Sequence, residues 1–153
     1  MAGRESVNKN MSPLNKKTIH EKLFKLQESV KILEELKAEG QKAFFSDRKT
    51  QDASTLNLFT SIEMITDIGN HIITEVFQKQ AKDYKEIIFL LGETGVVPKK
   101  FAKENEDMTK FRNLIAHDYE KITPDGVYEN LQKAPDIFRQ FARYFVEFMD
   151  KQK

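Results

Sequence analysis

The chain has 153 residues, a formal net charge of +1, 39% hydrophobic and 32% charged residues, and no cysteine. That length suits one domain with its own core. The balanced charge argues against a protein that coats nucleic acid through a broad basic surface. The missing thiols exclude disulfides, cysteine nucleophiles and thiolate metal sites and fit a reducing cytoplasm, and no apolar run reaches the roughly 18–20 residues that span a bilayer.

Residues 1–17 are polar, with Gly3, Pro13, three asparagines and scattered basic residues. They read as a flexible N-terminal tail without the apolar core of a signal peptide, leaving residues 18–153 as the folded domain. Thr18 and Glu21 have capping-box spacing, so a first helix is expected from Thr18. Ile19, Leu23, Leu26, Val30 and Leu33 then recur at alternating four- and three-residue steps, one buried stripe. Gly40 is a natural stop. His20 lies off the stripe and reads as a surface residue.

After a loop around Phe44 to Arg48, a long helix is expected over about Thr50 to Lys79. Leu56, Phe59, Ile62, Met64, Ile65, Ile68, Ile72, Ile73, Val76 and Phe77 give it an apolar face too wide for one neighbour. Such a helix is central to a bundle or lies at an oligomer interface. Gly69 within it costs about 1 kcal/mol relative to alanine, which suggests a close approach by a neighbour. Asp67, His71 and Glu75 recur every fourth residue. They suit either a divalent ion or a polar stripe that is solvated or hydrogen-bonded; no metal or cofactor is expected, because a transition-metal site draws on more elements and more imidazole.

Asp83 with Glu86 three residues on starts a shorter helix, buried through Ile87, Ile88, Leu90 and Leu91 and ended by Gly92 and Gly95. Pro98 restarts the chain, with a short helix at Lys99 to Lys103 and another from Asn105 to His117. Thr123-Pro124-Asp125 starts the last helix, which runs to about Met149. Val127, Leu131, Ile137, Phe138, Phe141, Phe145 and Phe148 line it, and Pro135 should kink it. No stretch alternates with period two. The expected fold is all-α, an up-and-down bundle of four to five helices.

One stretch carries chemistry. Phe111-Arg112-Asn113-Leu114-Ile115-Ala116-His117-Asp118-Tyr119 holds an arginine, an asparagine, a histidine, an aspartate and a tyrosine in eight consecutive positions, 112–119. Arginine grips phosphate with a planar fork of donors, and histidine exchanges protons near neutrality. On a helix, Arg112 and His117 are about 140° apart, so they do not share a face. Asn113 and His117 do share one. Arg112 and Tyr119 would align if the helix continued that far. A site built by two copies of the helix across a two-fold axis is therefore more reasonable than one built by a single copy, and the wide apolar face of the second helix supplies a motive for dimerisation.

His117 near a helix C-terminus is favoured in its charged form by the macrodipole. Protonated, it could donate to a leaving 5′-oxygen; neutral, it could take a proton from a 2′-hydroxyl. Arg112 could stabilise the developing negative charge. These groups suffice for metal-independent RNA cleavage, to which DNA would be resistant. The alternative is a surface hydrogen-bond cluster. Charge does not help the nuclease reading, since residues 99–121 carry six basic and five acidic side chains, no basic groove.

The chain from about Thr18 to Met149 resembles the HEPN superfamily, and within it the HepT-like toxin ribonucleases. The resemblance rests on Asp67-Ile68-Gly69-Asn70-His71-Ile72-Ile73, on Tyr84-Lys85-Glu86 with Leu90-Leu91, on Gly95-Val96-Val97-Pro98, on the Phe111 to Tyr119 stretch with its Arg-x-x-x-x-His-x-Tyr pattern, and on Val127-Tyr128. It implies a homodimeric helical bundle with Arg112 and His117 as catalytic residues at the interface, supported by Asn113 and Asp118. It implies an RNA substrate, with no DNA and no membrane. It also implies a partner, an MntA-like nucleotidyltransferase antitoxin that neutralises the toxin by attaching AMP to Tyr119. Bulk and negative charge two residues from His117 would obstruct an RNA phosphate. The alternative within the family is a dimer without nuclease activity that serves as binding partner or substrate of the transferase.

Overall fold

A computed structural model describes the backbone of residues 2–152 and the side chains of residues 16–152. The chain forms α1 (Ala2–Ala38), α2 (Gln41–Ser46), α3 (Arg48–Glu75), α4 (Tyr84–Glu93), α5 (Lys99–Asn105), α6 (Met108–His117), a 3-10 turn (Tyr119–Lys121) and α7 (Pro124–Lys151). There is no strand among the described residues. The fold is all-α, as expected.

The three long helices make the body of the bundle. α1 packs on α3, and both pack on α7; α4 and α6 lie against α3, and α5 against α4. The α1 stripe is buried throughout, from Ile19 to Leu33. It meets Leu58, Ile62, Ile65, Ile68, Ile72 and Ile73 of α3 and Leu131, Phe138, Phe141 and Phe145 of α7 in one continuous core. Phe101 of α5 adds a ring at 4.7 Å from that of Phe141. α3 is the central element, because its wide apolar face serves α1, α7 and α4 at once.

Several boundaries differ from the sequence reading, each for a local reason. α1 runs through Thr18, so the Thr18–Glu21 pair lies inside the helix and caps nothing. The side chains of residues 1–15, most of the expected tail, lie outside the described residues. The segment expected as a loop holds α2, which buries Phe44 against α7, where its ring lies 5.1 Å from that of Tyr128. α3 starts at Arg48 because the Asp47 carboxylate accepts from the Lys49 N–H at 3.0 Å. It ends at Glu75 rather than Lys79: Gln78 turns left-handed at φ 55, and the Lys79 N–H folds back to Ile73 O at 3.0 Å. That contact, together with the left-handed Gln78, turns the chain off the helix. α6 starts at Met108, three residues later than expected, and α7 ends at Lys151, two residues beyond the expected Met149.

Two expected signals operate as read. Asp83 accepts from the Glu86 N–H at 2.8 Å, and Thr123 Oγ1 accepts from the Gly126 N–H at 3.1 Å. Gly69 does mark a close approach, though by side chains: an added Cβ would sit 2.9 Å from both Ile87 Cγ2 and Leu91 Cδ1 of α4. A second close approach went unread. A Cβ at Gly92 would lie 2.7 Å from Ala102 Cβ and 3.4 Å from the Lys99 Cα, so α5 rests directly on α4 there.

Candidate functional site

The Arg112–Tyr119 stretch sits where α6 crosses the central helix. α6 runs antiparallel to α3: Arg112 meets Glu63, and Tyr119 lies near Gln51 and Thr55 at the N-terminal end of α3. The salt bridge from Lys85 to Asp107 (3.4 Å) ties the start of α6 to α4.

Arg112 points into the protein. Its side chain is only 10% exposed. Nε donates to Glu63 Oε1 at 3.1 Å, and Nη2 donates to Glu63 Oε2 at 3.4 Å and to Tyr84 Oη at 2.9 Å. Nη1 donates to Asn113 Oδ1 at 3.1 Å. The guanidinium carbon lies 3.9 Å from the centre of the Tyr84 ring and 5.6 Å from that of Phe59, within cation–π range. A buried guanidinium needs a counter-charge and acceptors for its donors; α3 supplies the charge and α4 the stacking surface.

His117 points the other way. It is exposed, and its side chain makes no hydrogen bond or ion pair among the described residues. The opposition of Arg112 and His117 is the angular separation of five residues on a helix, as expected. Asn113 is exposed, is bonded to Arg112, and lies one turn from His117. The helix stops at His117 because Asp118 leaves helical geometry at φ −139 and ψ 50, while its N–H still donates to Leu114 O at 2.8 Å. Tyr119 therefore sits on the 3-10 turn, not on α6, and the alignment of Arg112 with Tyr119 along a continuing helix does not occur.

Tyr119 is 50% exposed. It forms one wall of a recess of about 320 Å³, whose rim carries Arg48, Asp52 and Glu120 and whose other walls include Ile122, Pro124 and Val127. Arg48 Nε donates to Asp52 Oδ1 across that rim at 3.1 Å. Leu56 lies two helical turns from Glu63 on the same line of α3, beside this end of α6, and is 63% exposed.

The Asp67, His71 and Glu75 series does not converge. Asp67 pairs instead with Lys22 of α1 at 3.4 Å. Among the described residues no group of three or more His, Cys, Asp or Glu side chains is placed to hold a metal ion. No described helix is long and apolar enough to cross a membrane.

Sequence reasoning found the motif and missed what holds it. Glu63, Tyr84 and Phe59 were not singled out as site residues. The available signal was Glu63 itself, an acid between Ile62 and Met64 in the apolar face of α3.

The fold and the motif together define a helical bundle that anchors a short Arg-x-x-x-x-His helix on its central helix. The chain belongs to the HepT-like ribonuclease family: the family profile, described as Ribonuclease HepT-like, matches residues 26–145. Among solved structures it is similar to a chain of a toxin–antitoxin complex crystallised with AMP-PNP, at 23% identity and a TM-score of 0.75 over 84% of this chain and 97% of that one. It is similar at 24% identity and a TM-score of 0.75, over 84% and 96% of the two chains, to a chain of the tri-AMPylated HEPN toxin of Shewanella oneidensis in complex with its MNT antitoxin. A cytosolic protein of unknown function from Bacillus subtilis, YutE, shares the fold at 18% identity and a TM-score of 0.76, over 88% of this chain and 90% of that one. No curated protein matches the chain.

Proposed function

We propose that this chain is a cytoplasmic, metal-independent endoribonuclease toxin, active as a homodimer. His117 is its proton-transfer residue; the neighbouring 2′-hydroxyl gives up its proton and attacks the phosphorus, and the P–O5′ bond breaks as the 5′-oxygen takes a proton. The observation that carries this reading is the exposed, unpartnered imidazole of His117 at the end of a helix whose Arg112 is locked into the core. A histidine free to exchange protons beside an anchored cation is the minimum equipment for acid–base cleavage of RNA. Dimerisation follows from the same geometry. One helix offers one exposed histidine, and the two steps of transesterification want an acid and a base; two copies supply both. Leu56, 63% exposed beside the motif, gives such an interface an apolar anchor.

The partner in this reading is a small nucleotidyltransferase antitoxin that attaches AMP to Tyr119. Support comes from the half-exposed phenol and from the AMPylated HEPN toxin that this chain resembles. The added phosphate would repel an RNA phosphate approaching His117. The decisive experiment is RNA cleavage by the purified protein in EDTA, for the wild type and His117→Ala, before and after treatment with the transferase and ATP. Loss of cleavage in the variant and after treatment is expected. Equal cleavage by both proteins would refute the role of His117, and no cleavage by the wild type would refute the enzyme.

A second reading has one observation in its favour. Arg112 offers no free pair of adjacent N–H groups, since both edges of its fork are already engaged. A dimer without nuclease activity, recognised and modified by the transferase, needs only Tyr119 exposed. It predicts complex formation and Tyr119 modification without RNA cleavage.

A further inference from the structure

We propose that Glu63 and Tyr84 are positioning residues of the cleavage site, and that Arg112 acts on RNA through Asn113 rather than by gripping phosphate itself. The inference rests on the ribonuclease reading above and extends it to residues outside the motif.

A guanidinium has five N–H donors in a rigid plane. Four are engaged: Nε and one Nη2 hydrogen on Glu63, the other Nη2 hydrogen on Tyr84, and one Nη1 hydrogen on Asn113. A bidentate grip on phosphate needs two adjacent parallel N–H groups. The Nε–Nη2 edge is filled by the Glu63 carboxylate, and the Nη1–Nη2 edge is divided between Asn113 and Tyr84. One isolated N–H remains, on a side chain 10% exposed.

The same bond settles which way Asn113 faces. Arginine can only donate, so the amide must turn its oxygen to Nη1. Its Nδ2, with two N–H donors, then points away from Arg112. Asn113 is exposed and lies one turn before His117 on the same face of α6. The pair presented to RNA is thus a neutral amide donor and an imidazole. The amide donates to a phosphate oxygen while the imidazole moves the proton. Behind them Arg112 polarises the amide through its Nη1–H bond to Oδ1, and Glu63 with Tyr84 holds the guanidinium still. α3 and α4 thereby fix the geometry of a site carried by α6, which explains an acid in the apolar face of the central helix.

The test uses the full-length protein with an RNA oligonucleotide in EDTA. It compares the wild type with Glu63→Gln, Glu63→Asp and Tyr84→Phe, with kcat and KM measured separately. A reacting group displaced by about 1 Å costs on the order of 100-fold in rate. Glu63→Gln is expected to lower kcat about 10- to 100-fold with KM changed less than about threefold, and Glu63→Asp is expected to recover part of the loss. Independently of activity, the ¹⁵N-labelled side-chain amide of Asn113 is observed by NMR. Its two N–H signals should shift and exchange faster with water in Glu63→Gln while the backbone spectrum of α1 and α7 stays put. Unchanged kcat, or a loss confined to KM, in a folded Glu63→Gln protein overturns the proposal, as do unmoved Asn113 signals. Should Glu63→Gln fail to fold, Tyr84→Phe carries the same readouts with only one hydroxyl removed. If the wild type does not cleave RNA, the ribonuclease reading falls on its own, and the Asn113 amide signals still decide whether Glu63 positions the motif.

Discussion

Arg112→Ala should damage the fold as well as any chemistry, and the structure sets the size of the effect. The Arg112–Glu63 contacts are 3.1 and 3.4 Å, with side chains 10% and 27% exposed. Hydrogen bonds to charged groups contribute about 1.5–3 kcal/mol. The second contact is long and Glu63 still reaches water, so the coupling of the pair is about 1–3 kcal/mol. The bond to the Tyr84 hydroxyl adds about 1 kcal/mol, and the stacking over Tyr84 and Phe59 adds about 1 kcal/mol more. Arg112→Ala then loses roughly 3–5 kcal/mol, which for a domain of this size lowers Tm by about 10 °C. The assay is a double-mutant cycle by urea denaturation: Arg112→Ala, Glu63→Ala and both together. The double variant should be more stable than the sum of the single losses implies, by the coupling energy, because neither partner is then left as an unpaired charge. A coupling below about 0.5 kcal/mol would refute the picture of a locked arginine. It would also make Arg112→Ala a clean probe of chemistry, which the structure says it is not.

Three other perturbations test separate parts of the molecule. Gly92→Ala places a Cβ 2.7 Å from Ala102 Cβ and 3.4 Å from the α5 backbone; overpacking of about 1–3 kcal/mol outweighs the roughly 1 kcal/mol gain in helix propensity, so thermal melting should show a net loss. Leu56→Asp removes the most exposed apolar side chain beside the motif and should raise the dimer dissociation constant at least tenfold by analytical ultracentrifugation without lowering Tm; an unchanged dimer would put the interface elsewhere. Tyr119→Phe should leave the fold and RNA cleavage intact while abolishing the mass increase on incubation with the transferase and ATP; a persistent single adduct would place the acceptor on another residue.

The elements were legible where periodicity and local capping carry the signal. The α1 stripe, the Asp83 and Thr123 caps and the phenylalanine row of α7 follow from periodicity and local hydrogen bonding; the caps are bonded and the stripe and Phe138, Phe141 and Phe145 are buried as read, with Phe148 partly buried. What stayed hidden depends on tertiary context. Thr18–Glu21 has a valid capping pattern, yet α1 runs through it; the pattern permits a start without imposing one. α2 forms because Phe44 finds a buried place against Tyr128, a residue more than eighty positions away. Gly92 looked like a helix stop, and its lack of a Cβ is used for contact with Ala102. At the site, helical angles correctly separated Arg112 from His117. They could not show that the inward residue of the pair would find Glu63 on α3 and Tyr84 on α4, because sequence spacing says nothing about which side chains meet across helices.

The five-residue step between Arg112 and His117 acquires a physical meaning from this arrangement. A four-residue step would put both side chains on one face of α6, so that burying the arginine would bury the histidine with it. The extra residue turns the second side chain by about a further 100°, to a separation of about 140°, which sends one inward and leaves the other in water. α6 is only ten residues long, too short to be stable alone. Its inward arginine, hydrogen-bonded to two other helices, is part of what fixes it on α3. Anchoring and display are thus divided between the two ends of one motif. A conservative exchange at either end should therefore fail differently: Arg112→Lys cannot reproduce four donors and a stacked plane and should loosen α6, visible as faster amide exchange from Met108 to His117, whereas His117→Gln should leave that exchange untouched and remove only the proton transfer. Equal exchange rates in Arg112→Lys and the wild type would show that α6 is held without the Arg112 contacts.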